Sequence, residues 1–205
     1  MQRSEVIQRL GKVAPGIRSA PGTTPPTQRV FDAGVEGQRG DHDLNPGMHP
    51  ERALTAAAVL VPLIDREGGL TVLLTKRTDH LHDHAGQVSF PGGRIDPEDR
   101  DAAAAALREA KEEVGLDPDR VNLVGRLDTY VTRTGFEVTP WVGLVMPPIA
   151  LVPHPFEVAE VFEVPLPFFL DPANRKTESR ARARPPGRGR RRTGRRNGRV
   201  GTRRP

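Results

Sequence analysis

Residues 89–116, SFPGGRIDPEDRDAAAAALREAKEEVGL, constrain this chain more than any other stretch. Asp101 is of a type that caps helix amino termini, five alanines follow it, and Gly115 can take the left-handed backbone that closes a helix. Within the predicted helix, Glu109, Glu112 and Glu113 stand at i, i+3 and i+4, with Arg108 beside them. Helical geometry puts all three carboxylates on one face. Like charges at that spacing repel, so the arrangement is mildly unfavourable until something positive joins it. Hard divalent cations such as Mg²⁺ take oxygen ligands, commonly a few carboxylates plus substrate phosphates. Gly92 and Gly93 leave room for a close backbone approach just upstream. Taken alone, Arg-Glu-Ala-Lys-Glu-Glu is more often a solvated helix face. The glycine turn before it favours a loop and helix that grip a pyrophosphate.

On these residues the segment resembles the Nudix box, G-x5-E-x7-R-E-U-x-E-E-x-G-U with U a bulky aliphatic residue. Residues 108–116 match its second half, except that Ala110 is small for U. The first half departs: Gly93 is followed by five residues and then Asp99 rather than Glu, with eight residues before Arg108. That variant is similar to the coenzyme A pyrophosphatase branch of the superfamily. Upstream, Leu73-Leu74-Thr75-Lys76-Arg77, then Leu81, Gly86, Gln87 and Phe90-Pro91-Gly92-Gly93, resemble the branch's motif LLTxR-[SA]-x3-R-x3-G-x3-FPGG. Thr78 replaces Ser or Ala there, and His82 replaces the second Arg. The latter change weakens the expected grip on an anion, because His is largely neutral at pH 7 and lacks the planar fork of Arg.

The resemblance implies an α/β/α sandwich around a mixed sheet and a hydrolase dependent on Mg²⁺ or Mn²⁺. The substrate it implies is coenzyme A or an acyl-CoA, split into 4′-phosphopantetheine (or its acyl form) and adenosine 3′,5′-bisphosphate. Glu109 and Glu113, with Glu112 and the Gly93 carbonyl, are the expected metal ligands. Arg77, Gly86, Gln87 and Gly92 are the expected substrate contacts. Arg108 is expected to orient a glutamate through a bidentate pair. For the base that deprotonates the attacking water, Glu112 competes with Glu157 and Glu160 downstream, and the catalytic set adopted is Glu112, Arg108 and Glu160. Other nucleoside diphosphate-linked substrates remain open, since only the upstream motif speaks for coenzyme A.

The net charge of +5 suggests a nucleic-acid binder, but its origin is local. Residues 180–205 hold twelve arginines and no acidic residue, so the rest of the chain carries −7. A segment almost wholly of Arg, Gly, Pro, Ala and Thr, with one Val as its only large aliphatic residue, cannot bury a core. It reads as a basic arm for nucleic acid, as a solvated extension, or as an out-of-frame translation of GC-rich DNA. The last is favoured because the family-like text stops near Ser179, where the fold would continue, so the domain is expected to be incomplete at its carboxyl end. A catalytically silent nucleic-acid binder is the rival from another class.

The remaining organisation follows from apolar patterning. Residues 1–50 read as a short helix over 1–10 and a Pro/Gly-rich arm, and 51–179 as one α/β domain. Leu54 to Ile64, Leu70 to Lys76, Val121 to Thr132, Glu137 to Val145 and Glu160 to Pro165 are the expected strands, followed by a helical turn near Phe168 and Leu170. Trp141 and Tyr130 are expected to pack within strands. No apolar run approaches the roughly 20 residues that span a bilayer, and the amino terminus lacks a secretory pattern, so cytoplasm is the default expectation. The chain has no cysteine, which removes thiolate chemistry. Oligomeric state is not legible.

Overall fold

The computed structural model describes residues 3–11, 39–45, 50, 53–80 and 85–176. The expectations for residues 180–205, for most of 14–50, and for Leu81 and His82 lie outside these. The chain runs through α1 (Arg3–Gly11), β1 (Arg39–Gly40), α2 (Asp41–Leu44), β2 (Thr55–Arg66), β3 (Gly69–Arg77), β4 (Val88–Ser89), β5 (Gly92–Arg94) and α3 (Ala102–Val114). It continues through β6 (Val121–Arg126), β7 (Tyr130–Val131), β8 (Phe136–Val145), β9 (Val158–Pro165) and α4 (Leu166–Leu170).

The sheet is mixed, as expected. β2 pairs in parallel with β8 and antiparallel with β3 and β5, while β9 lies antiparallel on the other side of β3. β6 and β7 line the outer edge of β8. Strands covered on both faces read as continuous apolar runs, and β2, TAAAVLVPLIDR, is such a run. Its Ala58, Leu60 and Ile64 pack under Ala105, Ala106 and Ala110 of α3. Its Val61 and Leu63 turn the other way, into a layer closed by Val6 of α1 and Leu166 of α4. Helices on both faces make this an α/β/α sandwich. The alanines matter sterically, because small side chains bring α3 close to the sheet. Ala110, small for its place in the box, is 1% exposed in that contact.

One expectation is corrected. The single strand predicted over 121–132 is broken: a bulge between Leu123 and Gly125 bends it, and residues 127–129 leave the ladder before β7 resumes. Residues 39–44, within the segment read as an arm, are built into the fold. β1 pairs in parallel with β7, and Asp41 accepts from the Tyr130 hydroxyl at 2.7 Å and from the Arg133 N–H at 2.6 Å.

Candidate active site

α3 is held at both ends. Asp101 Oδ1 accepts from the Ala104 N–H at 2.8 Å, and Gly115 takes φ 70° beyond the last turn. Carbonyls of that turn are met from outside by the segment before β9. The Val152 N–H donates to the Val114 carbonyl at 2.9 Å, and the His154 N–H to that of Glu113 at 2.8 Å.

The three glutamates share a face in projection, yet the sheet beneath divides them. Glu113 points inward at 6% exposure, and its Oε2 accepts from the Gly92 N–H at 3.1 Å. Glu109 lies over Gly93 so closely that a Cβ there would come within 2.4 Å of its Oε1. Glu112 turns outward, with a side chain 59% exposed, toward Arg108 Nη1 at 3.1 Å. Burial pushes the Glu113 carboxyl up to about 7; the Gly92 N–H and Arg77 pull against this, and the charges of Glu109 and Glu157 reinforce it. Glu109 is raised too, by burial first, with Arg108 opposing.

Arg108 does form a bidentate pair, but with Asp99 rather than a glutamate. Its Nε donates to Asp99 Oδ1 at 2.9 Å and its Nη2 to Oδ2 at 2.8 Å. Nη1 reaches Glu109 Oε1 at 3.0 Å, and Nη2 also reaches the Arg94 carbonyl at 3.1 Å. Arg108 is therefore a positioning residue that ties the loop to the helix. Its hydrogen bonds hold the buried Asp99 carboxyl below the usual range. Asp99 is expected from the sequence only as a departure from the box, without a partner. The pairing is coupled to the sequence: a side chain one carbon shorter goes with one extra residue before Arg108.

At the end of β3, Arg77 Nη1 stands 3.9 Å from Glu113 Oε1, and its Nε is buried without a hydrogen-bond partner among the described residues. The Arg77 N–H donates to the Gln87 carbonyl at 2.9 Å, across a turn in which Gly86 has φ 67°. Gly86 and Gln87 thus shape the backbone around Arg77. Gly92 has a steric role, since a Cβ on it would lie 2.4 Å from the Ala58 carbonyl oxygen. Glu160 is not brought to this cluster. In the β3–β9 register it faces Lys76, two residues from Phe162, which packs in the α1/α4 layer. Strand alternation turns it to the sheet face opposite α3. Glu157 comes closer: its carbonyl accepts from the Thr78 N–H at 3.1 Å, and its charge is felt by Glu113.

Among the described residues no three His, Cys, Asp or Glu side chains converge enough to hold an ion by themselves. The donors fit a different kind of site. Mg²⁺ usually takes one or two carboxylates and fills its shell with water and substrate phosphates. Glu109 in its glycine cradle and Glu113 provide such a pair of hard oxygens.

A family model described as the NUDIX domain matches residues 54–173. The chain belongs to the Nudix family. Among its relatives, the uncharacterized Nudix hydrolase NudL of Enterobacter sp. (strain 638) is 51% identical over 111 residues, covering 54% of this chain and 57% of the relative. The protein of the same name from Yersinia enterocolitica serotype O:8 / biotype 1B is 49% identical over 110 residues, covering 54% and 56%. This Nudix chain thus spans just over half the length of the curated relatives it matches. A solved Nudix hydrolase from M. smegmatis, RenU, is 24% identical over 58% of this chain and 75% of that one, with a TM-score of 0.45. Among the described residues no helix is long and apolar enough to cross a membrane.

Proposed function

We propose that this chain hydrolyses the pyrophosphate bond of coenzyme A or an acyl-CoA, with Mg²⁺ or Mn²⁺ held by Glu109 and Glu113. The observation that carries the reading is the meeting of opposite charges at one place. Glu113 stands beside Arg77, whose buried Nε lacks a partner among the described residues, and Glu109 lies one helical turn before Glu113 over Gly93. Carboxylates for a cation and a guanidinium for a phosphate are the complement of a metal pyrophosphate. When bound, the ion polarises the phosphoryl oxygens and offsets charge as the P–O bond breaks. Arg77 supplies a charge-assisted hydrogen bond to a phosphate oxygen, and the Gly92 N–H keeps Glu113 aimed into the site. Arg108 holds Glu109 and, at the rim, Glu112. The motif around Arg77, Gly86 and Gln87 supports coenzyme A over other nucleoside diphosphate derivatives. Incubation of this chain with coenzyme A, dinucleotides, nucleotide sugars and nucleoside triphosphates, with product identification, tests this. Cleavage of the others in preference to coenzyme A overturns the substrate and leaves the chemistry standing.

For the base we favour Glu157 over Glu112 and Glu160, because Glu112 is engaged with Arg108 and Glu160 lies across the sheet. Glu157→Gln is expected to lower kcat by about 10²- to 10⁴-fold, the usual worth of a positioned base. Glu160→Gln is expected to change it less than about twofold, as a surface substitution remote from the chemistry. Equal losses in both variants, each folded by circular dichroism, would reverse the assignment.

A backbone test isolates the glycine cradle. Gly93→Ala places a methyl group against the Glu109 carboxylate, which can swing away because it ends a flexible side chain. Melting temperature should hardly move, while turnover falls roughly 10²-fold, as a 1 Å misplacement can cause. Unchanged turnover would remove Glu109 from the metal shell.

A further inference from the structure

Just before β9 the chain reads Leu151-Val152-Pro153-His154-Pro155-Phe156-Glu157. Its two prolines fix their own φ and bring no N–H, so they join no ladder. Residues 152–156 are exposed, Val152 by 72% and Phe156 by 70%, and apolar packing does little to hold them. The placement of Glu157 therefore depends on hydrogen bonds, and these come from two sides. Residues 154–158 close a turn in which the His154 carbonyl accepts from the Glu157 N–H at 3.1 Å and from the Val158 N–H at 2.9 Å. The His154 N–H ties that turn to the Glu113 carbonyl of α3. On the other side stands Thr78, 7% exposed and next in the chain to Arg77. Its N–H donates to the Glu157 carbonyl at 3.1 Å, and its hydroxyl donates to the Phe156 carbonyl at 2.8 Å. The same hydroxyl oxygen lies 3.5 Å from His80 Nε2, and the His80 ring meets the Phe156 ring edge-on, with centroids 5.8 Å apart.

The turn thus bridges the two elements that carry Glu113 and Arg77. We infer that Thr78 is a positioning residue, whose hydroxyl fixes this turn and so sets where the Glu157 carboxylate stands relative to Glu113 and Arg77. That role rests on Glu157 being the base and adds the group that aims it. A β-branched side chain suits the task, because its χ1 is restricted before the bond forms. The Phe156 carbonyl belongs to an exposed residue, so without the hydroxyl it turns to water at small cost to the fold. What is lost is the fixed geometry of the turn.

Two substitutions separate these effects. Thr78→Val keeps the shape of the side chain and removes the hydroxyl, whereas Thr78→Ser keeps the hydroxyl. With coenzyme A and Mg²⁺, Thr78→Val is expected to lower kcat about tenfold with KM within about twofold, and Thr78→Ser to stay within about twofold of the wild type. Added to Glu157→Gln, Thr78→Val is expected to cost nothing further, because residues that act as a unit are not additive. A loss repeated in that background, or one that Ser does not recover, would overturn the inference. Hydrogen exchange at the Glu157 and Val158 amides needs no turnover. Both should exchange faster in Thr78→Val and at the wild-type rate in Thr78→Ser. Unchanged exchange in Thr78→Val refutes the clamp even if coenzyme A is hydrolysed and Glu157→Gln is inactive. Faster exchange with unchanged kcat refutes the positioning role. Full turnover in Glu157→Gln overturns the choice of base and leaves Thr78 a support of the loop alone. Absence of coenzyme A hydrolysis in the wild type overturns the substrate, and the exchange comparison still decides the clamp.

Discussion

Glu113→Gln is expected to lose turnover on the order of a thousandfold, about 4 kcal/mol of transition-state stabilisation, and yet to give a metal-free protein more stable than the wild type at pH 8. The two effects share one cause. Glu113 is 6% exposed, and burial pushes its carboxyl up to about 7. A carboxyl whose folded pKa exceeds its unfolded value binds its proton more tightly in the fold. Its stabilising contribution is complete below the unfolded value, 4.5, and is lost as pH rises through about 7. At pH 8 the metal-free fold holds a buried anion at a cost on the order of 3 kcal/mol. Gln removes the charge and keeps an oxygen to accept the Gly92 N–H. Melting in EDTA should therefore show a wild type that weakens between pH 5 and pH 8 and a variant nearly flat over that range. The crossing leaves the variant several degrees higher at pH 8. Adding Mg²⁺ or Mn²⁺ should restore the wild type and do little for the variant. A variant less stable at both pH values would make Glu113 a structural residue, and one that retained turnover would remove it from the site.

The helix carrying this chemistry was legible because its signals are local. Asp101, the alanine run and Gly115 cap and fill it, and both caps form where the sequence placed them. β2 and β3 were legible because a strand covered on both faces needs unbroken apolar residues, and Leu60, Ile64 and Leu73 supply them. What failed depended on partners distant in the chain. Glu160 enters the expected site as one of the carboxylates downstream of the box, but which face a strand residue takes depends on register. That register runs through a bulge between Lys76 and Arg77. The break between β6 and β7 has a similar origin, since the Thr129 carbonyl is taken by Arg39, ninety residues upstream in a segment rich in turn formers. The glutamates were grouped by helical projection alone. Their differing burial follows from how Ala106 and Ala110 seat the helix, which turns Glu113 inward and leaves Glu112 in solvent.

The same distance dependence makes Arg108→Ala the more damaging change for the fold. Asp99 is 7% exposed and receives both Nε and Nη2 of Arg108, so removing the guanidinium leaves a buried carboxylate held only by the Asp96 N–H at 2.9 Å. Breaking one side of a buried pair typically costs about 3–5 kcal/mol, or roughly 6–15 °C in a domain of this size. The pH dependence runs opposite to that of Glu113. Arg108 keeps the Asp99 carboxyl below its ordinary value, so the pair's contribution is present above about pH 4 and is lost as pH falls through the lowered value. In the variant the Asp99 carboxyl is no longer lowered. The stability deficit should therefore hold from neutrality down to about pH 4 and shrink below it, as protonation relieves the orphaned charge and undoes the wild-type pair. Arg108→Lys should recover little, because an ammonium cannot span both Asp99 oxygens and Glu109 at once. Asp99→Asn combined with Arg108→Ala should be less destabilised than the sum of the single changes. Turnover should fall about 10²-fold in Arg108→Ala even where the protein is fully folded, because Glu109 loses the contact that steadies it over Gly93. A deficit that stays unchanged as pH falls from about 4 through the lowered value would show that Arg108 supports the fold through packing and not through Asp99.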